Sequence, residues 1–440
     1  MSLLRSFKGV GLGARVARAS VGSIFLKVLS TILGSATTIV LARYLGADNY
    51  GVYAFAVACV MVVGLPVKAG LPQLVVRETA YGLANEDLST VKGIWRWATV
   101  VVILVSLILA VVAFFAIIFG ADISGEQGRT IAIGMLLVPL MGLALACSSP
   151  LRGIGLTIQG QLPELLVKPL AMLLLILTVV FVSSISLTAT HAMSINVLAT
   201  LVALLIGVTL LHRARPPALK QVHATYQTGI WLRTLMPLAA INAMHLINTQ
   251  ADIILLGIFV ESSDVGHYKV AAQVSLIVAF GAQATKTVVE PYIARFYREG
   301  DSGRLVRLIK GAARLNFLAA LSVFAALLIF GKELLGLAFG PAFTAALVPM
   351  LILSGGRLMG SIISTGGALL TMAGYHKEYA RFWSFAALAN IALNVALIPT
   401  FGTIGAATST AITLFLANGL GWWSAKKWLG FDCSPLPSHN

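Results

Sequence analysis

Long runs of apolar residues, separated by short polar connections, dominate the pattern along this chain. Each run has about 20 residues or more, the length that an α-helix needs to cross the hydrocarbon core of a bilayer. The pattern therefore predicts an all-α polytopic membrane protein with about twelve transmembrane helices. The predicted spans are residues 20–42, 51–76, 94–119, 130–149, 162–183, 189–211, 230–256, 264–289, 308–330, 344–370, 379–399 and 403–424.

Composition strengthens the membrane assignment. The 440 residues are 58% hydrophobic and 11% charged, whereas an ordinary soluble domain is roughly 45–50% apolar and about 25% charged. The first apolar run is too long and too polar in its middle for a cleavable signal peptide, so we expect a retained span. Two of the three cysteines lie inside apolar runs and the third in the tail, which is typical of neither a disulfide framework nor a metal-ligand cluster.

Basic residues are distributed unevenly between the two sides of the predicted membrane. If the N-terminus is cytoplasmic, the cytoplasmic segments hold 22 of the 31 Lys and Arg residues and the opposite side holds 3. Because Lys and Arg in short loops set orientation, both termini are predicted to be cytoplasmic. The seven Trp residues agree, since all fall at predicted cytoplasmic ends, where indole rings anchor among lipid headgroups. Much of the net charge of +15 thus reflects topology, and nucleic acid is not an expected partner.

The predicted spans form two halves. The longest basic connection, His212–Thr228, lies midway and separates two predicted six-helix bundles, residues 1–218 and 219–440. The second and eighth spans begin with the same pattern, Gly-x-Tyr-x-x-Ala, which starts at Gly51 and at Gly266, an offset of 215 residues. An offset of six spans preserves orientation, so it predicts parallel repeats with a cavity between the halves. This organisation is more typical of a transporter than of a channel.

Six basic residues remain inside the predicted spans, and a charge at the bilayer centre costs about 2.5–3.5 kcal/mol unless it reaches water. Lys168, Lys269 and Lys286 lie near span ends, so their ammonium groups are expected to snorkel to the surface. Arg357 lies about 15 and about 19 residues from its two flanking loops, too far to reach either surface. Its glycine and serine neighbours leave space around it, which favours a cavity-lining arginine over a structural, hydrogen-bonded one.

Two lysines of the first half lie at intermediate depth. Lys27 and Lys68 occupy neighbouring spans, each roughly 12 Å from the cytoplasmic boundary, and a lysine stem covers only part of that distance. Pro66 and Pro72 flank Lys68 and are expected to kink its helix towards an interior space. A cationic cavity and snorkelling explain these two lysines about equally well.

Polar side chains form a stripe along the first span and another along the seventh, which occupy equivalent positions in the two halves. The stripe of the seventh span covers an arc of about 120° and consists of Asn242, His245, Asn248, Thr249 and Asp252. Such residues also serve as hydrogen-bonding contacts between helices, but a charge in each stripe favours a shared polar cavity. Asp252, the one clearly intramembrane acid, is either a coupling site for H⁺ or Na⁺ or the counter-ion of a nearby cation.

A cationic interior with few acids suits an anionic cargo. Arginine binds two phosphate oxygens at once through its planar fork, which makes a lipid diphosphate the natural candidate. The glycine-containing segment 281–287 lacks the second glycine and the spacing of a phosphate-binding loop. The chain also lacks the sequence signatures of a zinc protease and of a serine nucleophile elbow. We therefore expect a transporter without a nucleotide motor, catalytic activity, metal or cofactor.

Several short stretches also resemble a known family. They are Leu41–Gly46 followed by Tyr50-Gly51, Gly70–Gln73 before Arg77, Arg152-Gly153, Ala251-Asp252 with Leu256-Gly257, and Asn390-x-x-x-Asn394 running into Ile398-Pro399 and Gly402-x-x-Gly405-Ala406-Ala407. In this order and spacing, the chain resembles polysaccharide flippases of the multidrug/oligosaccharidyl-lipid/polysaccharide exporter (MOP) superfamily, which transport lipid-linked O-antigen and exopolysaccharide repeat units. Twelve predicted spans argue against the fourteen-helix peptidoglycan-precursor flippases of that superfamily.

The resemblance implies two six-helix bundles that form a V and open alternately to either side of the inner membrane. It implies carriage of an undecaprenyl-diphosphate-linked oligosaccharide from cytoplasm to periplasm, with ion-gradient coupling and with a polysaccharide polymerase and a chain-length regulator as partners beside the membrane lipids. The expected substrate site is a cationic cavity containing Arg357, Lys27 and Lys68. The alternative is a drug/cation antiporter of the same superfamily, which would use acidic cavity residues, whereas this chain has six intramembrane bases and one clear acid.

Overall fold

A computed structural model describes residues 12–68, 70–118, 125–182 and 186–433 of the protein. Over these ranges the chain forms helices and no β-strands, which confirms the predicted all-α class. The helices divide into two compact units. The first unit contains the residues up to Tyr44 together with Cys59–Ala243, and the second contains Leu45–Ala58 together with the residues from Met244 onward.

These units differ from the predicted bundles by two short segments. Residues 219–243 belong to the first unit and residues 45–58 to the second. The bundles 1–218 and 219–440 describe the order of spans along the chain, and they stay a prediction.

The first half of the chain begins with a long helix that continues through a turn at Gly46, whose φ of 74° and ψ of 174° are not helical. Glycine adopts a positive φ without steric cost, which explains its place at the turn. The helices of this half are α1 (Leu12–Val63), α2 (Leu65–Lys68), α3 (Leu71–Ala84), α4 (Leu88–Ile118), α5 (Glu126–Gly134), α6 (Leu137–Gly153), α7 (Thr157–Leu162), α8 (Lys168–Val182), α9 (Ala189–Ala214) and α10 (Ala218–Gln221), with a π-helical turn at Pro163–Val167.

The second half ends with a similarly long helix that turns at Gly402, where φ is 53° and ψ is −130°. The helices of this half are α11 (Thr228–Phe259), α12 (Ser262–Glu299), α13 (Ser302–Phe339), α14 (Leu347–Ile363), α15 (Thr365–Met372) and α16 (His376–Leu429), with a 3₁₀ turn at Pro341–Ala346.

Many of these helices are long and apolar enough to cross a membrane. Within the described ranges there are nine such helices, or ten if the two parts of the bent helix α11 count as one span. Two of the nine, in α1 and α16, are 43 and 53 residues long, or about 65 and 80 Å at 1.5 Å per residue, which is at least twice the ~30 Å hydrocarbon core. Each contains a glycine turn and can supply two spans. The protein is thus a multi-pass membrane protein, and the helices are consistent with the predicted twelve spans.

The two glycines of the internal repeat, Gly51 and Gly266, meet inside the second unit. A Cβ atom added at Gly51 would overlap the carbonyl oxygen of Ser262, and one added at Gly266 would overlap the carbonyl oxygen of Ala47. Ala47 and Ser262 are separated by the same 215 residues as Gly51 and Gly266. The glycine of each repeat therefore contacts the equivalent carbonyl of the other repeat. Glycine is required because only a residue without Cβ lets two helix backbones approach this closely. The reciprocity indicates that these two segments are related by a local two-fold axis.

Candidate functional site

A buried carboxylate on α11 is the centre of a hydrogen-bond network in the second unit. The side chain of Asp252 is 7% exposed. Its Oδ2 accepts hydrogen bonds from Tyr268 Oη and from Thr410 Oγ1, and its Oδ1 accepts one from Asn394 Nδ2. The donor–acceptor distance is 2.6 Å in all three. Asn394 Nδ2 also donates to Asn390 Oδ1 over 3.0 Å, and Asn390 Nδ2 donates to Thr410 Oγ1 over 3.2 Å. Three helices therefore fix the position of one carboxylate.

The order of residues along α16 explains why these side chains meet. Asn390 and Asn394 are four residues apart and thus lie on the same face of the helix. Gly402 reverses the chain, and Asn394 and Thr410 are each eight residues from it, so the two side chains reach the same depth on opposite arms of the turn. In the sequence, Asn390, Asn394 and Gly402 stood out through the family resemblance alone.

The network offers oxygen atoms that suit a small hard cation or a proton. Carboxylate, amide and hydroxyl oxygens favour ions such as Na⁺ over soft transition metals. Asn394 Oδ1 is buried and accepts no hydrogen bond from any described residue, so it has capacity for one more partner. The charge of Arg357 is near enough to interact with Asp252, but within the described ranges the two side chains form no ion pair. Both interpretations of Asp252, coupling site and counter-ion, are compatible with this geometry.

The polar stripe of α11 is divided between the two units, and its role as a single site stays a prediction. Asn242 belongs to the first unit, where its Oδ1 accepts a hydrogen bond from Gln73 Nε2 over 3.5 Å. Asn248 and Thr249 belong to the second unit, and the hydroxyl of Thr249 bonds a carbonyl of its own helix. The side chain of His245 lies outside the described part of the chain. Of the four stripe residues whose side chains are described, Asp252 is the one that joins the buried network.

Arg357 lines a cavity of about 240 Å³ inside the second unit. Its Nε donates a hydrogen bond to Ser275 Oγ over 3.1 Å, the one hydrogen bond that the guanidinium makes to a described residue. Because a guanidinium carries five N–H donors, most of its donors can serve a ligand. The side chain thus lies at a cavity, as the sequence suggested, while its role in substrate binding stays a prediction.

The same cavity contains polar residues that the sequence alone did not indicate as site residues. They include Asn316 and Asn418, contributed by α13 and α16, and Lys286 with Glu290, whose side chains pair over 3.6 Å on α12. Lys286 therefore has a partner in the cavity wall, and its side chain is also about half exposed, so that its extension to the membrane surface stays a prediction. No local motif could have revealed this set, because its members come from separate helices.

The helix around Lys68 is broken, as the neighbouring prolines predict. Helix α1 ends at Val63, the four-residue helix α2 ends at Lys68, and α3 begins at Leu71. Lys68 is half-buried, and its Nζ lies 3.0 Å from Met61 Sδ. A thioether is only a weak acceptor, so the ammonium keeps most of its capacity for an anion.

The three bases of the expected cationic cavity come from both units. Lys27 and Lys68 lie in the first unit and Arg357 in the second. The side chain of Lys27 is exposed on α1. That all three share one substrate cavity stays a prediction.

Comparison with known proteins places the chain in a family. The family described as "Polysaccharide biosynthesis protein" matches residues 17–297. The "Probable flippase AglR" of Haloferax volcanii is 26% identical over 418 residues, which cover 92% of this chain and 82% of the relative. The "Probable low-salt glycan biosynthesis flippase Agl15" of the same organism is 29% identical over 162 residues, and this match spans 37% of the chain and only about a third, 34%, of the relative.

Two solved structures share the fold. One is an inward-facing multidrug resistance MATE family transporter of the MOP superfamily, with a TM-score of 0.72 and 14% identity over 91% of this chain and 94% of that chain. The other is the lipid II flippase MurJ in an inward closed conformation, with a TM-score of 0.72 and 14% identity over 93% of this chain and 87% of that chain. At this identity the likeness concerns the fold alone. The family match covers more than half of the length and confirms the resemblance seen in the sequence: the chain belongs to the polysaccharide biosynthesis protein family and has the fold of MOP superfamily transporters.

Proposed function

We propose that this protein is a flippase that moves a polyprenyl-diphosphate-linked oligosaccharide repeat unit from the cytoplasmic to the outer leaflet for cell-surface polysaccharide biosynthesis. Its family and the names of its relatives support this activity. The observation that carries the proposal is Arg357, a guanidinium far from both span ends that faces a cavity and uses one hydrogen bond to the protein. A diphosphate can occupy the remaining donors with charge-assisted bonds.

A transporter of this kind needs no bond-breaking chemistry in its helices. It has to shield the charge of the diphosphate while the lipid tail stays in hydrocarbon, since an uncompensated charge in the bilayer costs several kcal/mol. A fixed arginine in a polar cavity provides that shielding at a stage of the cycle when water is excluded. This is the role that we assign to Arg357, with Lys27 and Lys68 as the corresponding bases of the first unit.

The second candidate is a drug/cation antiporter, which the MATE fold and the buried carboxylate of Asp252 favour. Two features argue against it. Both carboxylate oxygens of Asp252 already accept hydrogen bonds in a closed network, and the charged residues of the cavity wall are Arg357, Lys286 and Glu290. The cavity charge is thus positive on balance, which repels a cationic drug and attracts a diphosphate.

Asp252 provides the proposed coupling site. Exchange of a proton or Na⁺ at this carboxylate would change the charge beside Tyr268, Thr410 and Asn394, all of which donate to it. These donors come from two other helices, so a change of charge alters the contacts between helices. Such a local event can bias a two-state transporter between its two open states.

The charge distribution supports the proposed orientation of the protein in the membrane. We place the protein in the inner membrane. In the proposed orientation both termini and the connection between α9 and α11 lie in the cytoplasm. Tags at both termini and within residues 213–228 should report a cytoplasmic location, and a tag between Glu261 and Asp264 should report the opposite side. A C-terminal tag on the outer side would contradict the orientation.

A deletion experiment tests the function. Cells that lack the protein should lose surface polysaccharide and accumulate lipid-linked repeat units on the cytoplasmic leaflet, and the wild-type gene should restore both. Their sensitivity to cationic dyes should not change. Unchanged lipid-linked intermediates together with increased dye sensitivity would favour the antiporter instead.

A further inference from the structure

The cavity of the second unit changes in chemical character along its length. Arg357 occupies one end. One turn further along α14, Gly360 lies beside Asn418, because a Cβ atom at Gly360 would be 3.2 Å from Asn418 Nδ2. Further on, Gly367 of α15 packs against the hydroxyl of Tyr379. The cavity therefore leads from a guanidinium to amide side chains and then to an aromatic wall.

Asn316, on the α13 side of the cavity, has an unused hydrogen-bonding atom. Its side chain is 4% exposed, and its Oδ1 accepts no hydrogen bond from any described residue. A buried polar atom without a partner is costly to keep, so such atoms in native proteins generally serve a ligand or an ordered water. Because Asn316 lines the cavity, a ligand there can supply the missing donor.

The charges of this amide-lined part favour a neutral, hydroxyl-rich group over a second phosphate. Glu290 belongs to the cavity wall and pairs with Lys286 over 3.6 Å, so these two charges balance. A carboxylate accepts hydrogen bonds from hydroxyl groups but repels phosphate. Amide groups both donate and accept, which matches hydroxyls that do the same.

An aromatic surface completes the lining. Trp383 lines the cavity, although its sequence position alone suggested a headgroup anchor. Its ring stands edge-on to the ring of Tyr379, and the two ring centroids are 6.4 Å apart. Such amphipathic rings combine an apolar surface with a polar edge. The C–H face of a pyranose packs against a surface of this kind while its hydroxyls reach polar neighbours.

The volume limits the size of the ligand. The cavity volume of about 240 Å³ is somewhat smaller than the roughly 300–1,000 Å³ of pockets that hold drug-sized ligands. One sugar ring fits such a space, whereas a complete oligosaccharide does not.

We propose that this amide- and aromatic-lined part of the cavity, formed by Asn316, Asn418, Trp383 and Tyr379, is a sugar subsite. It binds the pyranose ring attached to the diphosphate while Arg357 binds the phosphates. The inference rests on the proposed function, because it places the first sugar of the same lipid-linked substrate. The subsite makes the protein select carriers that already bear sugar over the bare polyprenyl diphosphate, which would otherwise compete for Arg357.

The test compares two lipids on full-length protein in nanodiscs. The first is the lipid-linked repeat unit isolated from the cells that make it, and the second is polyprenyl diphosphate of the same chain length. Wild-type protein should bind the first about tenfold more tightly, as expected for one or two net hydrogen bonds. Asn316→Leu combined with Asn418→Leu should abolish this preference and leave affinity for polyprenyl diphosphate within about twofold of wild type. Arg357→Ala should weaken binding of both lipids.

A matched control removes another buried polar atom outside the cavity lining. Ser354 lies one turn before Arg357, and its Oγ is buried without a partner among the described residues. Ser354→Ala should keep the full preference. The thermal unfolding midpoints of the lipid-free single and double variants are measured as well. Asn316→Leu alone should not lower the midpoint, because it removes an unpaired polar atom, and a cooperative transition of the double variant would show that it folds.

The outcomes separate the two hypotheses. If neither lipid binds, the proposed flippase substrate is wrong and the subsite fails with it. If both lipids bind equally well, or if the double variant keeps the tenfold preference, the flippase proposal stands and the sugar subsite is wrong.

Discussion

Asp252, which is buried, and Arg357, which is half-buried, are two charged groups of the second unit with very different hydrogen bonding. The carboxylate of Asp252 accepts three hydrogen bonds of 2.6 Å from two neighbouring helices. The guanidinium of Arg357 makes one hydrogen bond, of 3.1 Å, to a described residue and borders a cavity. The first group is held by protein atoms, whereas the second keeps most of its hydrogen-bonding capacity.

This difference separates two roles that the sequence alone could not assign. A fully engaged carboxylate suits exchange of something small, such as a proton or a Na⁺ ion, because protein donors already occupy both of its oxygens. A cavity-lining arginine can bind a group as large as a diphosphate. We therefore assign coupling to Asp252 and cargo binding to Arg357.

Arg357→Ala should have the largest effect on transport. Loss of charge-assisted bonds worth about 1.5–3 kcal/mol should weaken substrate binding roughly 10- to 100-fold. Export of polysaccharide should fall accordingly, while the amount of protein in the membrane stays near the wild-type level. Both are measured by quantifying surface glycan and by blotting membrane fractions.

Arg357→Lys sharpens this result, because it keeps the charge and removes the planar fork. Partial export would show that the electrostatic field matters more than bidentate geometry. Normal export by the alanine variant, or its absence from the membrane, would make Arg357 structural and direct attention to Lys27 and Lys68.

Asp252→Asn should lower transport by about tenfold and, more importantly, remove its dependence on an ion gradient. The change keeps the side-chain shape but removes the negative charge. It also puts an NH₂ donor in place of one of the two acceptor oxygens, so that this donor faces the protein donors that bond the carboxylate in the wild type. Transport rates in vesicles with imposed proton or Na⁺ gradients measure this effect. An unchanged rate with unchanged gradient dependence would reduce Asp252 to a packing residue.

Thr410→Val should have a smaller effect than loss of the charge. It removes one of the two hydroxyl groups that donate to Asp252 Oδ2 and leaves the shape of the side chain nearly unchanged. The unfolding free energy should fall by about 1–2 kcal/mol, seen as a lower thermal midpoint in detergent, and gradient dependence should persist. A variant as inactive as Asp252→Asn would show that the hydroxyl itself takes part in ion exchange.

Thr37→Val is the matched control with the smallest expected effect. Thr37 lies 215 residues before Asp252, at the equivalent position of the first repeat, and its hydroxyl bonds the Leu33 carbonyl of its own helix over 2.8 Å. Removing it should change stability by less than about 1 kcal/mol and leave transport intact. A defect comparable to that of Asp252→Asn would mean that both repeats contribute to coupling.

The sequence predicted the helical class, the multi-pass character and the family, because these follow from apolar runs and from glycine and asparagine patterns that are local in the chain. It also located the repeated glycines, Gly51 and Gly266, whose close contact explains why both are glycine. Single intramembrane charges, Asp252 and Arg357, could be selected because charges are rare in spans.

Their partners could not be selected in the same way. Tyr268 was noticed in the sequence only as part of the repeated Gly-x-Tyr-x-x-Ala pattern, and Asn316 and Thr410 are ordinary residues in apolar helices. Their importance depends on which helices pack together. Helical periodicity fixes the face of a side chain but not its neighbour across a helix interface. For the same reason the sequence did not show that the stripe from Asn242 to Asp252 has its two ends in different units.

Reconstitution gives the most direct test of the central claim. Purified protein in liposomes is supplied with the lipid-linked repeat unit on one leaflet, and the oligosaccharide that becomes accessible to a lectin on the other leaflet is measured over time. We predict protein-dependent transfer that is strongly reduced by Arg357→Ala and no efflux of a cationic dye from the same vesicles. Dye efflux without oligosaccharide transfer would contradict the account and identify a cation antiporter.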